Sequence, residues 1–262
     1  GQTVDPQFFV EDPGHQGRGV NLPYRALLPA KVDGLLVTGL GMSAHRDAMP
    51  ILRMQPDIQN QGYAAGVAAA LALKEGKTVR DIDVKALQRH LLAKGILREE
   101  DLSTPDNFPL PDAAFDAAVA ELADNYKGLP VLMTDRARAL SRIRDAFHAA
   151  EGEAKVIYAH VLALLGQPDG ERQLLAKFAA MDWDKGWNYR GMGQFNRSVS
   201  WVDSYAIALG HCRSKAAVPA LVEKANALTE KSEYSHFRAV ARALEEIGDP
   251  RAVPALADVL KR

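Results

Sequence analysis

A chain of 262 residues accommodates one large domain or two small ones. Its 47% hydrophobic content and formal net charge of −1 describe a globular protein with a substantial core and no global field favouring nucleic acid or an anionic membrane surface. No apolar run approaches the ~20 residues needed to span a bilayer, and a single cysteine, Cys212, excludes an intrachain disulfide.

The N-terminal stretch Gly1-Gln2-Thr3-Val4-Asp5-Pro6 has neither the basic nor the apolar region of a signal peptide. With no initiator Met, the chain reads as following a cleavage or as a portion of something longer, and its localisation stays open. Residues 1–33 are rich in Gly, Pro and polar residues and read as extended, with a short strand around 7–10. Pro6, Pro13, Pro23 and Pro29 argue against a helix there. A short apolar strand is expected over 34–38, ended by a turn from Gly39 to Gly41, with a polar loop over 43–50.

Residues 58–75 carry the clearest helical pattern of the first half. Ala64, Ala65, Ala68, Ala69, Ala70 and Ala72 supply the strongest helix former. Gly62 and Gly66, four apart on one face, allow another backbone to approach closely, and Gly76 marks the C-cap. A second helix is expected over 84–94, stopped by Gly95. Pro105, Pro109 and Pro111 within polar surroundings make 101–112 the best linker candidate, with a short helix over 113–125 after it.

Beyond residue 130 one helix follows another. Leu165-Gly166, Leu209-Gly210 and Ile247-Gly248 each end an apolar helix, followed by a polar turn and another apolar helix. Ala217-Val218-Pro219-Ala220-Leu221 matches Ala252-Val253-Pro254-Ala255-Leu256, with each proline in a helical first turn, where a missing N–H is tolerated. The turn after Gly210 reads as three residues longer than its counterparts. This pattern resembles HEAT repeats, antiparallel helix pairs that bury their apolar faces only by stacking. Helices are expected near 135–150, 154–165, 170–180, 200–210, 216–228, 234–247 and 251–261. An aromatic, glycine-rich insertion over 181–197 breaks the period. Trp183, Trp187 and Tyr189 read there as a plug between helix pairs, with a flat ligand or sugar as the other reading.

The order from Leu35 to Leu71 is an apolar strand, a glycine turn, a Ser-Ala loop, Arg, Pro and a Gly/Ala helix. Together with Leu22-Pro23-Tyr24-Arg25-Ala26-Leu27-Leu28-Pro29, it resembles the C-terminal flavin-contacting segment of FAD-dependent oxidoreductases with a glutathione-reductase-like fold. The resemblance covers roughly residues 20–95. It implies cofactor contacts from Gly39, Ser43, Arg53, Pro56, Asp57, Gly62 and Gly66. It also implies that the amides at a helix N-terminus, with the dipole behind them, stabilise the negative charge of a reduced flavin ring. Leu40 departs from the pattern, standing where a charged residue often touches the ribityl or phosphate region. A HEAT-like tail is a known extension of some such oxidoreductases.

The fold expected is therefore mainly α: a small α/β remnant of a flavin-binding domain followed by a HEAT-like α-solenoid. The division expected is 1–100 for the flavin segment, 101–130 for linker and short helix, and 131–262 for the repeats. No Gly-x-Gly-x-x-Gly follows a strand, so the FAD half-site for the adenine dinucleotide is expected on an N-terminal half of the same protein or on a separate subunit. This chain alone is expected to be inactive and to hold no FAD. Left uncovered, its first hundred residues are expected to dimerise or to be disordered.

Catalytic residues are not readable. Ser43, His45 and Asp47 alternate along one loop and so point apart, unlike a catalytic triad; His45 and Arg46 read as solvated loop residues, with a place facing the flavin or its substrate as the other reading. The seven histidines show no metal-binding spacing, so no metal is expected, and neither a nucleic-acid nor a membrane partner. Arginines 136, 138, 142 and 144 read as a solvated helix face. The competing function is a HEAT-type interaction scaffold capped by its N-terminal third, with a protein partner on the repeats.

Overall fold

The computed structural model describes residues 20–44, 48–104, 109–124, 126–186 and 200–261. The expected strand over 7–10 and residues 45–47, 187 and 189 lie outside them. The chain divides into two compact units, which meet in sequence between Phe108 and Pro109.

In the first unit, α1 (Met49–Leu52), α2 (Gln55–Glu75) and α3 (Val84–Ala93) follow an irregular N-terminal strap. The long helix begins three residues earlier than the alanine pattern suggests, because Pro56 occupies its first turn, where proline is favoured. Gly76 ends it at φ +63, as the C-cap reading requires. Ala68 and Ala72 of α2 pack with Ile82, Leu87 and Leu91. Leu27, Met42 and Leu52 form a second small cluster, and Tyr24 packs against both. The Tyr24 hydroxyl donates to the Val79 carbonyl at 2.6 Å, and Arg80 ties the strap down through Asp33 and the Pro29 and Val32 carbonyls.

The expected strand over 34–38 does not form. Residues 35–38 have no regular secondary structure, and the described residues contain no strand. Glycines at positive φ bracket the segment, Gly34 at +72 and Gly39 at +64. Its link to the strap is a hydrogen bond from the Val37 amide to the Leu27 carbonyl at 2.9 Å, too little for a ladder. The unit is thus helical, and the α/β remnant is not seen.

The second unit holds α4 (Asp112–Leu122), α5 (Leu129–Leu132), α6 (Arg136–Ala149), α7 (Gly152–Leu164), α8 (Glu171–Ala180), α9 (Trp201–His211), α10 (Val218–Asn226), α11 (Tyr234–Ile247) and α12 (Val253–Val259). Helices α7, α9 and α11 pack in a row; α8 touches α7 and α9, and α10 touches α11 and α12. The row is apolar nearly all round: every residue of α9 from Val202 to Gly210 is buried. Helix α4, expected beside a linker, puts Phe115 and Leu122 fully into this core.

The repeat boundary at Gly210 shifts. Gly210 lies inside the last turn of α9 rather than beyond it, and a Cβ there would sit 2.7 Å from Ala243 Cα. It is small because α11 crosses at that point. The residue that turns the chain is Arg213, at φ 54, in the place held by Gly166 at φ 78 and Gly248 at φ 67. Leu174, Leu221 and Leu256 each follow eight residues later. The supposedly longer turn is a helix that runs three residues further.

The arginine face of α6 is not simply solvated. Arg138 and Arg142 bind Asp112 and Asp116 of α4 at 2.7–2.9 Å, and the Arg138 guanidinium lies 4.2 Å above the Phe115 ring. Arg144 binds Asp169 at 2.9 Å.

Candidate functional site

The segment from the glycine turn to the start of α2 is held by a side chain that motif matching passed over. Gln61 is buried on the inner face of α2. Its Oε1 accepts from the Gly39 amide at 2.9 Å and its Nε2 donates to the Leu52 carbonyl at 2.9 Å. One amide side chain thereby fastens the turn, the end of α1 and α2. A polar residue three, seven and eleven positions before Ala64, Ala68 and Ala72 on one helical stripe was the available signal.

The Gly39 amide is therefore engaged within the protein. What the glycine supplies is its left-handed backbone at φ +64; a Cβ there would meet Ile58 at 3.6 Å, an ordinary contact. Arg53 is exposed and C-caps α1; among the described residues no ion pair to its guanidinium is formed. Pro56 and Asp57 lie in the exposed first turn of α2, whose N-cap, Met54, offers no capping side chain. Gly39, Arg53, Pro56 and Asp57 thus gather around one helix end.

Ser43 is exposed and its amide donates to the Ala26 carbonyl at 2.8 Å. With Leu22, Pro23, Ala44, Ala48 and Leu52 it lines a cleft of about 290 Å³. His45 and Asp47, which frame the triad-like spacing, lie outside the described residues. Gly62 and Gly66 stand apart from this group. They face outward about two and three turns into α2, and a Cβ at either would meet nothing within 4 Å.

The helix end at Gln55–Asp57 offers backbone donors and a carboxylate acceptor, the kinds of group that pair with a flavin ring edge. The first-turn amides of a 21-residue helix point outward without a capping side chain, and the dipole behind them favours developing negative charge. The Asp57 carboxylate accepts only from a donor, such as a ring imide N–H or a ribityl hydroxyl. Nothing in the described residues provides the βαβ cradle that an adenine dinucleotide needs.

In the second unit two polar clusters sit inside the helix row. His160, fully buried, contacts the Tyr126 hydroxyl at 2.8 Å and Ser204 Oγ at 2.9 Å. Burial pushes its pKa down to about 3, so it is neutral. His236 faces Asp203 Oδ1 at 2.7 Å through Nδ1 and the Asp184 carbonyl at 3.0 Å through Nε2. Both partners are acceptors, so both ring nitrogens carry protons. Burial opposes that charge, but Asp203 and the Asp184 carbonyl outweigh it and raise the pKa. Asp184 also accepts from Ser200 Oγ and from the Trp201 amide. The Trp183 ring lies 4.4 Å from that of His236, filling space between helices. Trp187 and Tyr189 lie outside the described residues. Among the described residues no three His, Cys, Asp or Glu side chains converge as a metal site.

Residues 10–91 match a family model described as FAD dependent oxidoreductase. Residues 238–262 match one described as PBS lyase HEAT-like repeat. No curated protein and no solved structure matches the chain. The chain thus carries an FAD oxidoreductase-type segment near its start and a HEAT-like helical segment at its end.

Proposed function

We propose that the first unit is the flavin-ring side of the FAD site in a glutathione-reductase-like oxidoreductase, with the repeats as its C-terminal, solenoid-like extension. The observation that carries this reading is the family match over residues 10–91, which spans the glycine turn, the Gln61 clip and the uncapped start of α2. The bound flavin would supply the redox chemistry. The chain's part is to present first-turn amides at Gln55 and Asp57, hold the Gly39 turn in place, and leave the Gly62–Gly66 face open.

The surface of the first unit favours a missing counterpart. Leu73 is 85% exposed and Leu40 69%, and Gly62, Gly66, Ala70 and Leu73 share one helical face. Such a face is normally covered. The counterpart we propose is an FAD-binding half bearing the adenine-dinucleotide cradle, on the same polypeptide or a separate subunit. The isolated chain is then inactive and colourless.

Purification of the chain alone, and after co-expression with a candidate FAD-binding half, tests this. A colourless chain and a yellow stoichiometric complex are expected. Tight flavin binding by the isolated chain would overturn the half-site reading. The alternative, an interaction scaffold with a structural cap, draws on the HEAT-like match. It predicts a protein partner that remains bound when the first hundred residues are deleted.

A further inference from the structure

Where the second unit's helices turn, the ends of α7, α9 and α11 and the start of α6 enclose a cleft of about 520 Å³, lined by Arg136, Gly166, Gly210, His211, Arg213 and Glu246 among others. We infer that this cleft binds a small oxyanion ligand, one bearing phosphate or carboxylate groups, between the guanidinium groups of Arg136 and Arg213.

Two placements point to it, and that of Arg213 runs against local preference. Arg213 turns the chain at φ 54, a conformation that side chains other than glycine rarely adopt and that clusters at functional sites. The equivalent turns use Gly166 and Gly248. The guanidinium is thus delivered where a glycine would serve the fold better. Arg136 is the first residue of α6, directly after the Asp135 N-cap whose carboxylate accepts from the Arg138 amide, and its exposed side chain lines the cleft. Its neighbours Arg138, Arg142 and Arg144 all have carboxylate partners. Among the described residues, the guanidinium groups of Arg136 and Arg213 have none.

The other charges in the cleft are committed. Glu246 faces His211 Nε2 at 3.6 Å and Arg242 Nε at 3.3 Å. His211 Nδ1 donates to the Leu164 carbonyl at 3.1 Å. That leaves two forked donors with a net positive lining, the arrangement that recognises phosphate and carboxylate in bidentate fashion. The open, modest volume suits a small molecule.

Inorganic phosphate and succinate, titrated into the full chain at low ionic strength and followed by calorimetry and amide NMR shifts, test the inference. Saturable binding is expected, with shifts centred on Gly166, His211 and Arg213. Arg136→Gln and Arg213→Gly should each weaken it at least tenfold, while Arg89→Gln, in the first unit, should leave it unchanged. Arg213→Gly should also raise the melting temperature, which separates loss of the site from loss of the fold. Equal binding by wild type and both variants would overturn the assignment. So would a response that sodium chloride reproduces at matched ionic strength, or binding confined to an acidic polypeptide such as polyglutamate.

Discussion

Gln61 accepts a hydrogen bond from the amide of Gly39, twenty-two residues earlier, at 2.9 Å. The same side chain donates to the Leu52 carbonyl, so it satisfies one backbone group in the glycine turn and one at the end of α1. Gln61→Leu leaves both unmet and should cost about 1–3 kcal/mol. Gln61→Glu keeps the acceptor for Gly39 but turns a carboxylate toward the Leu52 carbonyl. Its loss should therefore grow as pH rises through the carboxylate range. Urea unfolding of the two variants at acidic and neutral pH measures both effects. Equal stability of wild type and Gln61→Leu would show that the clip carries no weight.

This residue shows why the candidate site was only half legible. Gly39, Arg53, Pro56 and Asp57 could be placed from their order along the chain, since each occupies a turn or a helix end, where local backbone geometry selects residue type. Gln61 matters through two backbone groups far from it in sequence, and no local rule picks it out. The repeats follow the same division. Gly76 and Gly248 mark left-handed C-caps and were readable as such. Gly210 looks identical in sequence but is set by the approach of α11, and the real turn uses an arginine. The strand over 34–38 failed for a related reason: apolar composition is local, but a ladder needs neighbours.

Gly62 and Gly66 separate stability from function. Both are exposed in the interior of α2, with open space where a Cβ would stand. Alanine at either should stabilise the isolated chain by about 0.5–1 kcal/mol through helix propensity alone. If the face they share receives the FAD-binding half, the same variants should reduce flavin recovery in the co-expressed complex. Thermal melts of the chain and the flavin-to-protein ratio of the complex are the paired measurements. A rise in both would argue against close packing on this face.

Gly210 should behave in the opposite way. A Cβ at that position would meet the Ala243 backbone at 2.7 Å, and neither helix has room to yield in a fully buried row. Gly210→Ala should destabilise by about 1–3 kcal/mol, the usual range for overpacking, despite alanine's better helix propensity. Chemical denaturation of the variant reads the sign directly; a stabilised protein would mean that α9 and α11 are further apart than the structure places them.

Cys212 should be a poor nucleophile. Burial pushes its thiol up to about 11, and the thiolate is the reactive form. Alkylation at neutral pH should be slow in the folded chain and fast in denaturant. Rapid labelling of the native protein would place this turn in a more open state than the one described.

The two buried histidines should bend the stability profile in opposite directions. His160 has a native pKa of about 3 against an ordinary 6.5. Between those values the unfolded chain binds the extra proton, so stability rises with pH there, by up to about 1.4 kcal/mol per pH unit. His236 has a native pKa above 6.5, so the native state holds its proton more tightly than the unfolded chain. Its contribution is complete below about pH 6.5 and is lost as pH climbs through the raised native value. These two groups together favour greatest stability near the ordinary histidine pKa. His160→Gln should flatten the acid side of the profile and His236→Gln the alkaline side. Imidazole NMR titration gives a second reading that does not depend on the variants folding. The His160 ring should keep its neutral shifts down to about pH 5, and the His236 ring should titrate above the ordinary histidine value. A His236 that titrates below the ordinary histidine value would mean that Asp203 does not compensate for its burial.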